Sequence, residues 1–307
     1  MPALVVDTDG ASDDAAALMI AAASPDLTAV TVCGGVIDVD QAVHNVLVVL
    51  DRAGRPDVPV HRGAARSLAG APFPPASDVH GDGGLGGHRY PSPARRPDST
   101  PAADVLADLL GVEGAIVVTL GPLTNVAAAL ARAGRTEAPA ARLVAMAGAQ
   151  DAVGNVTAVA EYNVFCDPEA AFAVLSAGCD LTLVGWDVSR RDAVIGDAEA
   201  RRLRELGTDR ARFLLEVNEA LDHFCRDVQG LAGYDLPDAA AVAVAVEPGV
   251  VTASARLPVA VETAGRLTRG MTVVDRRRGA APELLTTVVW SIDHARFVDL
   301  LVSSLSG

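Results

Sequence analysis

The chain has 307 residues, half of them apolar, enough for one large core or two modest domains. Its formal charge of -14, from 25 basic and 39 acidic residues, argues against nucleic acid or an anionic membrane as partner, and the run Arg276-Arg277-Arg278 is too short to override it. Every basic residue is arginine, so mechanisms that need a lysine are excluded.

Taken in chain order, the pattern alternates between strand and helix. Residues 3–8 read as a buried strand and 13–23 as an alanine-rich helix. A strand at 28–34, a helix at 38–53 and a short strand at 58–61 follow. Ala115 to Leu120 form another apolar strand, and Gly121-Pro122 opens a helix after it. Residues 142–147 and 181–185 read as further strands. This alternation predicts an α/β fold, a single-domain, Rossmann-like, open and mostly parallel sheet with helices on both faces.

Residues 70–101 stand apart. They hold 6 Gly and 7 Pro in 32 positions, too many for regular structure. Long loops of this kind are often functional, and "VHGDGGLGG" at 79–87 carries a His and an Asp that a plain linker does not need. The expectation is one domain over residues 1–307, with 70–101 as an active-site loop.

The four cysteines, Cys33, Cys166, Cys179 and Cys225, are scattered and form no C-x-x-C, so buried reduced thiols are expected. The start, Met1-Pro2-Ala3-Leu4, lacks a basic n-region, and no apolar run reaches membrane-spanning length. A soluble cytoplasmic protein is the expectation.

The strand at 3–8 runs into Asp7-Thr8-Asp9-Gly10-Ala11-Ser12-Asp13-Asp14. Four carboxylates in eight residues repel one another. Helix N-terminal charge explains Asp13 and Asp14 but not Asp7 and Asp9, which end a strand where open parallel sheets bind ligands. The cluster therefore predicts a site, and its all-oxygen donors favour a hard cation, Ca2+ or Mg2+. The spacing is not that of an EF-hand.

Two enzyme readings compete for it. The strand followed by "DTDG" resembles the start of haloacid-dehalogenase-type phosphatases, with Asp7 as nucleophile; against it, that pattern needs a lysine and usually a Thr where Ala11 stands. The second reading rests on an ordered set. "DTDGASDD" resembles the D-x-D-P-G-x-D-D signature of the inosine–uridine preferring nucleoside hydrolases. "HGDGGLG" from His80, "GPLTN" at 121–125, "GNVTAVAEYNVFCDPEAA" at 154–171 and "LTRGMTVVDRR" at 267–277 are similar to that family's later motifs, in the right order. The chain is identified as a divergent member.

The resemblance implies Ca2+-dependent cleavage of an N-ribosidic bond in a small-molecule ribonucleoside. It implies Asp9, Asp14, the backbone carbonyl of Thr124 and Asp238 as metal ligands. Asp9 also takes the proton of the attacking water. Asp13, Asn155, Glu161 and Asn163 hold ribose hydroxyls, and Asp7 fixes the loop. A homodimer or homotetramer is implied as well. Asp167 before Pro168 reads instead as a structural helix cap.

Three positions depart from the family pattern. Gly10-Ala11 replaces Pro-Gly, Val36 replaces an Asn that faces the substrate, and Pro237 replaces the His that protonates the leaving base. Three explanations follow. The leaving group needs little acid help; or an aromatic ring among Trp186, Tyr234, Phe224 and Tyr90 stacks on it; or His80, more readily than His223, acts as the catalytic acid. A nucleoside-binding or specialised biosynthetic relative with little hydrolase activity remains the alternative.

Overall fold

The computed structural model describes residues 3–134, 139–151, 153–277 and 284–307; Met1, Pro2 and Arg278, used above, lie outside them. The described residues form twelve strands: β1 (Leu4–Thr8), β2 (Leu27–Val32), β3 (Val60–Arg62), β4 (Ile116–Thr119), β5 (Arg142–Met146), β6 (Asp180–Val184), β7 (Val194–Gly196), β8 (Gly233–Asp235), β9 (Val251–Leu257), β10 (Val259–Val261), β11 (Thr272–Val274) and β12 (Thr286–Ile292). The helices are α1 (Ser12–Ala23), α2 (Val39–Arg52), α3 (Ser77–His80), α4 (Ala102–Leu109), α5 (Thr124–Ala133), α6 (Tyr162–Cys166), α7 (Pro168–Ser176), α8 (Trp186–Asp192), α9 (Asp197–Leu206), α10 (Asp209–Val217), α11 (Glu219–Asp227), α12 (Pro237–Val246) and α13 (His294–Leu305).

Eight strands form one sheet in the order β3-β2-β1-β4-β5-β6-β12-β9. All neighbours are parallel except β12 and β9 at the edge. The expected α/β architecture is therefore present. β1 is buried at all five positions, the pattern of a parallel strand covered on both faces. Leu4 and Val6 face one core with Val118, Val144 and Val184, packed under α1, α2, α12 and α13. Val5 faces the other with Val117, Leu143 and Leu183, under α4, α5 and α7.

Two helices position the site. α1 and α12 are apolar all round, rich in alanine, and pack against each other deep in the protein. Alanine side chains let the two backbones come close. The N-termini of both helices carry their acids: Asp13 and Asp14 on α1, Asp238 on α12.

The segment 70–101 is not structureless. It contains α3 and a 3-10 turn at Asp82–Gly84. Asp167 caps α7, its Oδ1 accepting the Ala170 amide at 3.0 Å, as the structural reading required. Among the described residues no helix is long and apolar enough to cross a membrane.

Candidate active site

A cavity of about 310 Å³ opens at the carboxyl end of β1. Asp9, Asp13, His80, Asn155, Glu161, Asn163 and Asp238 all line it. Residues separated by up to 229 positions in sequence thus meet in one place.

The acidic loop is held by its own hydrogen bonds. Gly10 adopts a positive φ of 72°, and a Cβ there would meet the Ala42 carbonyl at 2.8 Å. That makes glycine obligatory at the shifted position. Oδ2 of Asp14 accepts the Ala11 amide at 2.7 Å, and Oδ1 accepts the Thr8 hydroxyl. Oδ2 of Asp9 accepts the Val36 amide at 3.1 Å. Asp7 lies beneath, fully buried. Its Oδ1 accepts from Thr31 at 2.6 Å and Asn125 at 2.8 Å, and it does not line the cavity. A nucleophile must reach its substrate, so Asp7 cannot serve the phosphatase reading.

Oxygen atoms of Asp13, Asp14 and Asp238 lie within 4.8 Å of one another, and all three residues are buried. Burial pushes Asp13 up to about 7 and Asp14 up to about 6. It also raises Asp9 and Asp238 well above the usual carboxylate range, with the neighbouring Asp charges adding to the effect. Among the described residues the one side-chain base within ion-pair distance of this group is His80, 3.5 Å from Asp13. Buried carboxylates without arginine partners are costly unless a cation joins them. The donors are all oxygen, so the residues fit a hard divalent cation.

Glu161 and Asn163 enter from the β5 side. The Glu161 carboxylate accepts the amides of Asn163 and Gly148, both at 2.8 Å, and caps α6. Asn163 Nδ2 donates to the carbonyls of Leu120 at 2.6 Å and Met146 at 3.0 Å. Its amide group is therefore locked, with Oδ1 left for a ligand. Asn155 lines the cavity from an exposed turn. Thr124 opens α5, with its hydroxyl donating to Asp167 at 2.7 Å; it is not among the cavity-lining residues. His80 Nδ1 lies 3.0 Å from the Ser12 hydroxyl, and burial lowers its pKa to about 4.

The remaining wall is largely apolar, built by Val36, Val79, Trp186, Leu221, Phe224 and Pro237. Of the four aromatic candidates, Trp186 and Phe224 line the cavity. Tyr234 is buried elsewhere, and Tyr90 packs edge-on against Phe213 with centroids 5.2 Å apart. His223 is exposed and outside the cavity.

The sequence profile of inosine-uridine preferring nucleoside hydrolases matches residues 4–299. This chain belongs to that family. It is 37% identical to the pyrimidine-specific ribonucleoside hydrolase RihA of Shewanella sp. strain ANA-3, over 99% of this chain and 96% of that one. Among solved structures, a purine-preferring ribonucleoside hydrolase from Gardnerella vaginalis superposes with a TM-score of 0.91 at 31% identity, covering 99% and 98% of the two chains. A plant nucleoside hydrolase gives 0.90 at 30% identity, covering 100% and 99%. The protein is thus a hydrolase of N-glycosyl bonds in ribonucleosides. Chain-wide similarity extends to relatives described as pyrimidine-specific and as purine-preferring.

Sequence reasoning missed several cavity residues: Tyr162, Gln229 and Asp235. Tyr162 donates to the Pro74 carbonyl at 2.6 Å, tying the Gly/Pro-rich segment to α6, whose Tyr162 and Asn163 line the cavity. Gln229 presents a buried Oε1 without a partner among the described residues. Asp235 stands two residues before Pro237.

Proposed function

We propose that this chain cleaves the N-glycosidic bond of a ribonucleoside to ribose and free base with Ca2+ as cofactor. The proposed ligands are Asp9, Asp14, the Thr124 carbonyl and Asp238. The observation that carries this reading is the group of buried carboxylates without an arginine partner among the described residues: Asp9, Asp13 and Asp238 line the cavity with Glu161 and Asn163, and Asp14 lies against Asp13 and Asp238 without lining it. A bound Ca2+ would keep the carboxylates ionised and acidify a water.

The chain's own residues do the rest. Asp9 takes the proton of the attacking water. Asp13, Asn155, Glu161 and Asn163 hold the ribose hydroxyls; Asn163 can offer only an acceptor, so it selects a hydroxyl that donates. Breaking the C1′–N bond builds positive charge on the ribose, which the surrounding carboxylates stabilise. His80, anchored by Ser12, hydrogen-bonds toward the leaving base. Val36 and Pro237 leave the base side of the cavity without the Asn and His of the family pattern. Trp186 and Phe224 offer apolar surface there instead.

The whole chain, 1–307, acts as one domain in this reading, with 70–101 as the lid; Pro74, Ala76 and Val79 of that segment line the cavity. The protein works in the cytoplasm as a homodimer or homotetramer. Its four buried, unpaired cysteines suit a reducing compartment.

Ribose release from inosine, adenosine, uridine, nicotinamide riboside and p-nitrophenyl riboside tests the proposal, with Ca2+ and with chelator. Chelator-sensitive release that disappears in Asp9→Ala supports it. If p-nitrophenyl riboside is untouched while Ca2+ and ribose still bind, the site is a binding module.

A further inference from the structure

Asp235 ends β8 in the wall that no ribose or metal role occupies. It is 4% exposed and lines the cavity beside Trp186, Phe224, Cys225 and Pro237. An acidic group on an apolar wall calls for an explanation, because burial there disfavours its charge.

Its hydrogen bonds can accommodate a proton on the carboxyl. Ser189 Oγ lies 2.8 Å from the Trp186 carbonyl oxygen and 2.8 Å from Oδ2 of Asp235. A hydroxyl carries one proton. With Asp235 as carboxylate, the Ser189 hydroxyl donates to Oδ2 and leaves the contact with the Trp186 carbonyl without a proton; with Oδ2 protonated, both contacts are hydrogen bonds at once, Asp235 donating to Ser189 and Ser189 to Trp186. Oδ1 accepts from the Cys225 thiol at 3.6 Å. The charged and titratable groups around it are Arg190 on α8, Cys225 on α11, Asp13 on α1 and His80 on α3. Burial outweighs Arg190 and holds the carboxyl above its usual range.

We infer that Asp235 is the acid that protonates the leaving base, standing in for the imidazole that Pro237 displaces. The inference rests on the hydrolase reading above. As the C1′–N bond breaks, its electron pair passes to the base, and the base takes the Oδ2 proton in place of Ser189. Asp235 is left as carboxylate. The water that adds to C1′ releases a proton, which returns Asp235 to its acid form. Ser189 and Cys225 are positioning residues that present the carboxyl; His80 remains a hydrogen-bonding partner.

The test compares kcat/KM of wild type, Asp235→Asn, Asp235→Glu and His80→Ala on inosine, uridine and p-nitrophenyl riboside with Ca2+ present. The Asn variant keeps the shape but has no acid proton. Its expected loss is about 100-fold or more on the nucleosides and small on p-nitrophenyl riboside, whose leaving group needs little protonation. Retained turnover of the latter also proves the variant folded. Asp235→Glu should show a partial loss with the same substrate pattern. Equal losses on all substrates in both variants would overturn the inference. So would a leaving-group-dependent loss in His80→Ala but none in Asp235→Asn. If wild type cleaves none of the three, the hydrolase reading fails and Asp235 has no base to protonate.

Discussion

A Cβ added to Gly35 would lie 1.9 Å from Oδ2 of Asp9. The chain leaving β2 and the carboxylate at the end of β1 therefore occupy interlocking space. Only hydrogen fits between them, and the adjacent Val36 amide holds the same oxygen at 3.1 Å. Gly35→Ala should displace Asp9, lower ribose release by about 100-fold, the usual cost of misplacing a reacting group by about 1 Å, and destabilise the protein by ~1–3 kcal/mol through overpacking. Kinetics and thermal melts of one preparation check both.

The carboxylate group makes a prediction about metal binding that needs no substrate. Ca2+ should raise the melting temperature of the wild-type protein in a concentration-dependent way, because it binds only the folded chain. Asp238→Asn and Asp14→Asn should lose most of that rise. A rise of equal size in both variants would remove these residues from the metal site.

Stability in chelator should depend on pH with a definite sign. Asp13 is raised to about 7 and Asp14 to about 6, chiefly by burial. The folded protein then binds protons that the unfolded chain has already released. That contribution is complete below the ordinary carboxylate range and is lost as pH rises through about 6 to 7. The metal-free melting temperature should fall between pH about 5 and about 8, and saturating Ca2+ should flatten the fall. A metal-free curve that rises over this range would contradict the burial argument.

Tyr162 ties α6 to the segment 70–101 through the Pro74 carbonyl at 2.6 Å. Tyr162→Phe removes one hydrogen bond, worth about 1 kcal/mol net. KM should rise about fivefold, the equivalent of that energy, with kcat little changed. An equal fall in kcat would show that the bond orders the reacting groups instead.

The Glu161 carboxylate accepts backbone amides on both oxygens, from Asn163 on one and Gly148 on the other. In Glu161→Gln one of these positions becomes an NH2 facing an N–H. The unmet donors should cost ~1–3 kcal/mol of stability, in addition to the loss of the ribose contact proposed for Glu161. Glu161→Ala, by contrast, leaves the amides room for water, and calorimetry on the two variants separates the terms.

Much of this was legible along the chain. The unbroken apolar run at residues 4–6, followed by Asp7 and Asp9, marks a doubly covered parallel strand with acids at its carboxyl end. Period and composition suffice for that, since a buried strand needs apolar side chains on both faces. The ordered motifs from Asp7 to Arg277 pointed to the family, and Asp167 declared itself a cap by preceding Pro168. The departures at Val36 and Pro237 were visible too, as absences. What replaces them was not. Asp235 reads in sequence as one more acid on a short strand. Its significance depends on Ser189 and Cys225, 46 and 10 residues away, which β8 and the adjoining helices bring to its two oxygens. The meeting of Asp13 and Asp14 with Asp238 likewise requires α1 and α12 to pack side by side, a contact no local pattern encodes. Local periodicity sets which residues are buried, but the proton and charge states of the buried acids follow from neighbours that only the closed fold supplies.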